Sequence, residues 1–189
     1  MLPCPIEPAD PIANIAAIFI RPAVPSDVSS VLDLLTEAAE RMVRLGFPNW
    51  PERFPDAVVT RGIAKGELFV AEEHVALVAT VTLQWSDLMI WGRMEPTAGY
   101  VHRLAVRSDR AGAGLGAALL EWASEQVAAA GRSCLRVDCS ADNLPLCAYY
   151  ERLGFEYRGD REGELTEPGG GVRHWRSRLY ERGCEEKRS

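Results

Sequence analysis

The chain has 189 residues and a mass of 20.8 kDa, which at about 150 residues per domain allows one domain with short extensions. Hydrophobic residues make up 47% and charged residues 25%, so a sizeable core is available and global disorder is excluded. A net charge of −6 and a pI near 5.2 argue against a general nucleic-acid binder, which needs clustered Lys and Arg, but leave room for one local phosphate site.

The first ten residues are rich in proline and read as a loose arm, part of a flexible extension over residues 1–16. Ala17 to Arg21 is short, apolar and β-branched, as suits a strand. Pro22 and Pro25 end it, and Ser26 or Asp27 can cap the helix that follows. Val28, Val31, Leu32, Leu35, Ala38, Ala39 and Met42 recur at three- and four-residue spacing and give that helix one apolar face. Gly46 to Pro51 breaks it, and a weaker helix spans Asp56 to Ala64. Glu67 to Glu72 and Val75 to Trp85 read as neighbouring strands with a turn at Glu73-His74. Trp85 to Thr97 is a connector, and Gly99 to Val106 another strand.

Ala113 to Ala130 is a strong helix with Leu115, Leu119, Leu120, Trp122, Ala123, Val127 and Ala130 on its apolar face, closed by Gly131. Cys134 to Cys139 reads as a strand, Leu144 to Leu153 as a helix and Phe155 to Arg158 as a strand. The polar, Gly-rich stretch Gly159 to Gly171 reads as a mobile loop before a last strand, Val172 to Tyr180. Residues 17–182 thus form one α/β domain around a central sheet, and 183–189 a charged tail.

The five cysteines lack paired spacing, there is no CxxC, and His74, His102 and His174 are scattered. Neither a disulfide framework nor a metal site is expected. No basic region precedes an apolar stretch at the N-terminus, and Ile15 to Ile20 is too short to span a bilayer. A cytoplasmic protein without membrane partners is expected.

The sharpest chemical signal is Leu104-Ala105-Val106-Arg107-Ser108-Asp109-Arg110-Ala111-Gly112-Ala113-Gly114-Leu115-Gly116. A strand runs into a glycine-rich turn that opens the longest helix. The first amides of a helix have no partner within it, and the helix dipole adds positive charge there, so such a turn can cradle a phosphate. It can also be a helix start that merely happens to be rich in glycine. A nucleotide P-loop fails because Ala117 and Ala118 stand where Lys and Ser or Thr are needed. A dinucleotide fingerprint fails because the glycines fall at 112, 114 and 116. The second signal is Asn143 to Phe155, a polar turn and short helix bearing Tyr149 and Tyr150, which leave the helix about 100° apart. Both can instead pack the core with their hydroxyls at its edge.

Together these segments resemble the GNAT acetyltransferase superfamily. The first is similar to its acetyl-CoA motif, a strand followed by Gln or Arg, two residues, Gly, one residue, then Gly or Ala. The second is similar to its downstream Asn…Tyr-x-x-x-Gly-Phe motif. Ile20-Arg21-Pro22-Ala23 before Asp27, and Leu68 to Glu72, also sit where such proteins carry similar stretches. The one departure is Ala111 in place of the Gln or Arg, with Arg110 one residue early.

The resemblance implies a single-domain fold with a mixed sheet of about seven strands, about four helices and two splayed strands, here Val101–Val106 and Leu135–Asp138, that form the acetyl-CoA cleft. It implies acetyl transfer from acetyl-CoA, with no metal, to a primary amine. Leu104, Ala105 and Val106 would line pantetheine, with the Leu104 N–H polarising the thioester carbonyl. The amides of Ala111, Gly112, Ala113, Gly114, Leu115 and Gly116 would hold the pyrophosphate, helped by Arg107 or Arg110. Asn143 would hold the cofactor arm, and Tyr150 would lie beside the sulfur as general acid.

The amine, with a pKa of about 10.4, must lose a proton. His102 is a candidate base because its intrinsic pKa is near neutrality. A structural histidine and a base acting through water remain open, and Glu72 and Asp87 are weaker candidates. Strict alternation along Gly99 to Val106 puts Tyr100, His102 and Leu104 on one face. Trp50, Phe54, Trp85, Met89 and Trp91, near Glu40, Glu52 and Asp87, are candidate acceptor contacts. Cys147 reads as a small buried residue rather than a nucleophile. The expected acceptor is a small-molecule amine. A protein N-terminus or lysine is the alternative, and a non-catalytic acyl-CoA sensor is the alternative of another class. Homodimer pairing through the edge of Trp175 to Tyr180 is a further expectation by analogy.

Overall fold

The computed structural model describes residues 18–166 and 170–184. The arm expected over residues 1–16 and most of the tail over 183–189 lie outside the described residues. The elements are β1 (Ile18–Pro22), α1 (Val28–Arg44), α2 (Asp56–Ala64), β2 (Leu68–Glu73), β3 (Ala76–Gln84), β4 (Ala98–Val106), α3 (Leu115–Ala129), β5 (Cys134–Ser140), α4 (Leu144–Arg152), β6 (Glu156–Thr166) and β7 (Val172–Gly183). They build one seven-stranded sheet in the order β1-β2-β3-β4-β5-β7-β6. Every neighbouring pair is antiparallel except β4 and β5, which run parallel and are joined by α3 as crossover.

The sheet is covered on both faces. Val31, Leu32, Leu35 and Ala38 of α1 and Val59 of α2 bury against Leu68, Val70 and Ala105 on one face. Each such aliphatic side chain contributes about 1.5–3 kcal/mol when withdrawn from water. On the other face Leu115, Leu119, Leu120, Ala123 and Val127 of α3 and Cys147 and Tyr150 of α4 pack on Val81, Leu83, Val101, Val106, Leu135, Val137 and Cys139. Gly99 lets α3 sit close to the start of β4, since a Cβ there would lie 2.3 Å from Val127 Cγ2. The expected cap Asp27 closes the short 3-10 turn before α1, accepting the Val24 N–H at 2.8 Å, and is pinned by Arg21.

Two expectations are corrected. Gly159 to Gly171 is not mainly loop: β6 runs to Thr166 and pairs with β7 as a long hairpin. Its pattern is polar because charge pairs oppose across it, Asp160 with Arg178, Glu162 with Arg176 and Glu164 with His174. Gly163 stands opposite Trp175, whose ring lies where a Cβ would be. Trp175 to Tyr180 is also not a free edge. It lies in β7, between β5 and β6, so the sheet's edges are β1 and β6.

Candidate active site

β4 and β5 pair only from Ala98–Cys134 to Tyr100–Arg136. Beyond that point they diverge, so the splayed stretch is Val101–Val106 against Val137–Ser140. Leu135 and Arg136, expected within the splay, are still in the ladder. On its other side β4 carries a bulge: Thr82 opposes His102 and Thr80 opposes Ala105, leaving Arg103 and Leu104 against Val81 alone. Arg103 takes the left-handed conformation this requires, with φ of 48°. The extra residue flips the alternation. Val101, Leu104 and Val106 face α3 and α4, whereas Ala105 faces α1. Leu104 and His102 therefore lie on opposite faces, contrary to strict alternation.

At the front of α3 the backbone forms an anion cradle. Gly112 and Gly114 both have φ of 81°, which L side chains rarely adopt. The helix begins at Leu115 rather than Ala113. The amides of Ala111 and Ala113 donate within the turn, to Ser108 O at 3.2 Å and Arg110 O at 3.3 Å. Among the described residues, those of Gly112, Gly114, Leu115, Gly116 and Ala117 have no acceptor, and no side chain caps the helix. A Cβ at Gly116 would lie 3.0 Å from the Tyr149 hydroxyl, so glycine there lets the first turn of α3 approach Tyr149 closely. Arg107 is paired with Asp109, and Arg110 with Glu73 and Asp109. Their charge is already engaged by these carboxylates.

α4 is capped by Asn143, whose Oδ1 accepts the Leu146 N–H at 3.1 Å. The side chain expected to hold the cofactor arm is thus also a helix cap, with its Nδ2 donors remaining. Tyr150 is buried among Phe155, Tyr180 and Tyr149, with ring centroids 5.7–5.9 Å away. Burial pushes its hydroxyl far up, and the nearby Cys139 and Asp138 add to the shift, so the group stays protonated. Cys147 is buried in the core with its sulfur 3.6 Å from that of Cys139.

On the α1/α2 face of the same opening, His102 sits between two carboxylates. Its Nε2 lies 3.4 Å from Asp87 Oδ2, and its Nδ1 lies 3.9 Å from Asp138 Oδ1. Asp87 Oδ2 and His102 Nε2 are both buried without a hydrogen-bond partner. The other Asp87 oxygen accepts the Ile90 N–H at 3.0 Å, which fixes the connector. Burial lowers the His102 pKa, opposed by the charge of Asp87. Burial pushes Asp138 up to about 6, although a hydrogen bond from Ser177 pulls it back. One oxygen of each carboxylate and a ring nitrogen lie within 4.8 Å of one another, a grouping able to hold a metal ion. The two carboxylates address different ring nitrogens, however, which suits passage of a proton through the ring better than ligation of one ion.

Asp138 was not singled out in the sequence. Its signal was an acid at the inner end of an apolar strand, flanked by Val137 and Cys139. Of the weaker base candidates, Glu72 is held by Arg21. The connector aromatics divide. Trp91 packs on Tyr100 and under Arg136, and Trp85 lies under Arg132, both as structural contacts. Trp50 and Phe54 meet edge to face at 5.4 Å beside α1. Met89 is exposed, and Glu40 is exposed beside Arg44.

Residues 30–155 match the family model described as Acetyltransferase (GNAT) family. An uncharacterized N-acetyltransferase of Bacillus subtilis (strain 168), YesJ, is 35% identical over 150 residues, 75% of this chain and 83% of that protein. The S-(2-succino)cysteine N-acetyltransferase of the same organism is 30% identical over 156 residues, 77% of this chain and 90% of that protein. Among solved structures, a GNAT-family acetyltransferase from Listeria monocytogenes 4b F2365 superposes with a TM-score of 0.70 at 22% identity, covering 88% of this chain and 94% of that one. YncA of Salmonella typhimurium, solved with its cofactor acetyl-CoA, gives 0.63 at 16% identity, covering 92% and 97%. The family model matches two thirds of the chain, a relative covering most of it is 35% identical, and the fold superposes: this chain belongs to the GNAT family of N-acetyltransferases.

Proposed function

We propose that this chain moves the acetyl group of acetyl-CoA directly to the primary amine of a small molecule, within a ternary complex. One observation carries the reading. The opening between β4 and β5 has a buried, protonated tyrosine on its α3/α4 face and a carboxylate–histidine–carboxylate chain on the other. A donor can enter from one face and an acceptor from the other. The small-molecule choice is supported by the 30%-identical relative, an S-(2-succino)cysteine N-acetyltransferase.

The residues present fit the coenzyme. The free amides at the front of α3 and the dipole of that helix suit a pyrophosphate. Leu104, Ala105 and Val106 line the pantetheine path, with the Nδ2 of Asn143 as a further donor. Once bound, acetyl-CoA supplies a thioester carbonyl as electrophile. His102, neutral at physiological pH because burial lowers its pKa, accepts the proton of the attacking amine. Asp87 and Asp138 stabilise the imidazolium that results. The Leu104 N–H, in the bulge and outside the ladder, donates to the oxygen on which negative charge develops. Tyr150 gives its proton to the departing thiolate.

The test is initial-rate kinetics of thiol release with acetyl-CoA and a panel of small amines. Direct transfer gives intersecting double-reciprocal lines. Parallel lines indicate an acetyl-enzyme and overturn the ternary mechanism. Binding of acetyl-CoA without release on any amine overturns the assignment of a small-molecule acceptor.

A further inference from the structure

Arg103 occupies the bulge of β4, next to His102, and holds a long side chain on left-handed backbone. Its Nε donates to Thr82 Oγ1 at 3.3 Å. Thr82 lies between Val81 and Leu83, which face α3, so this bond turns the guanidinium onto the α1/α2 face. That is the face of Asp87, His102 and Asp138. The side chain is part-buried, and burial lowers its pKa against the longer-range attraction of Glu67 and Asp87. Among the described residues, no carboxylate lies within ion-pair distance of it.

Other arginines around the sheet are tied down: Arg21 to Asp27 and Glu72, Arg107 to Asp109, Arg110 to Glu73 and Arg136 to Glu181. Arg103 is instead withdrawn from water with the outer edge of its fork open. A part-buried cation in that state gains most from an incoming anion. A planar guanidinium matches a carboxylate through two parallel hydrogen bonds. Beside it, Asp87 and Asp138 present negative charge that suits an ammonium group. The surface is thus complementary to a molecule bearing both charges.

We infer that the acceptor is an amine that also carries a carboxylate, an amino-acid-like zwitterion, and that Arg103 binds the carboxylate while the amine meets His102. The inference rests on the reading that the acceptor enters on the α1/α2 face. Arg103 is a specificity residue here and touches none of the reacting atoms.

Thiol release is measured with saturating acetyl-CoA on free methionine, leucine and glutamate, on their primary amides and on the matching decarboxylated amines. The native protein prefers each acid over its amide in kcat/KM by about 30-fold or more. Arg103→Gly suits the left-handed backbone and removes the guanidinium. It brings the ratio of acid to amide close to one, and added guanidinium ion restores part of it. Arg103→Lys gives an intermediate ratio. A role confined to the Thr82 contact would slow acids and amides alike and leave the ratio standing. Equal kcat/KM for acids and amides in the native protein overturns the inference while acetyl transfer stands, and so does an Arg103→Gly protein that keeps the native ratio. If acetyl-CoA binds but no amine in the panel is acetylated, the small-molecule reading fails and the inference falls with it.

Discussion

At the scale of single residues, the site separates groups by environment. Tyr150 is surrounded by apolar rings and sulfurs, so its hydroxyl stays protonated and, in the proposed mechanism, has a proton to offer the departing thiolate. Tyr150→Phe keeps the ring packing and removes the proton. It should lower kcat by about 10- to 100-fold while leaving the calorimetric affinity for acetyl-CoA within about twofold. An unchanged kcat removes Tyr150 from the mechanism. Asp138 shows the cost of such placement. Its folded-state pKa of about 6 stands above the ordinary value of 3.8. The folded state therefore favours the protonated form, and stability is lost as pH rises from near 4 through 6. Asp138→Asn removes that loss. Denaturant unfolding should find the variant more stable than the native protein at pH 7, by up to about 3 kcal/mol, with the difference largely gone at pH 4. Tyr150 was legible in the sequence from its place in a motif. Asp138 was not, because its partner His102 is 36 positions away and the two meet only through the sheet.

At the scale of elements, the turn into α3 and the bulge in β4 set the geometry. The turn was legible because glycines at alternate positions announce positive φ before a long helix. What the spacing did not reveal is which amides remain open once Ala111 and Ala113 donate within the turn. Gly116→Ala places a methyl group against the Tyr149 hydroxyl at the front of α3, which must shift to admit it. It should raise the KM for acetyl-CoA about tenfold or more and change the KM for the amine little. Equal effects on both would show that the cradle does not bind the coenzyme. The bulge at Arg103 and Leu104 left no mark in the residue pattern, since both side chains are compatible with regular strand. It follows from how β3 registers on β4, and it inverts the faces of every later residue of β4. Likewise the β6–β7 hairpin hid from a hydrophobic pattern, because opposed charges and a Gly163–Trp175 pair join its strands.

For the whole molecule, the order of strands explains why residues from both faces of the sheet meet at one gap. β4 and β5 are the one parallel pair. Their crossover through α3 brings both strands in from the same end of the sheet, and they part after Tyr100 and Arg136. The α1/α2 layer and the α3/α4 layer lie on opposite sides of that gap. No helix among the described residues is long and apolar enough to cross a membrane. The sequence by itself determined most of the elements outside the β6–β7 hairpin, the glycine-rich turn into α3 and the motif tyrosine, because these depend on local periodicity, glycine backbone freedom and short spacing. Only the tertiary structure decided where the strands part, that β7 lies inside the sheet, and that Asp87, His102, Asp138 and Arg103 share a face. Those facts depend on register and strand pairing between distant segments, and a one-residue shift in register, as the bulge shows, moves a side chain from one side of the sheet to the other.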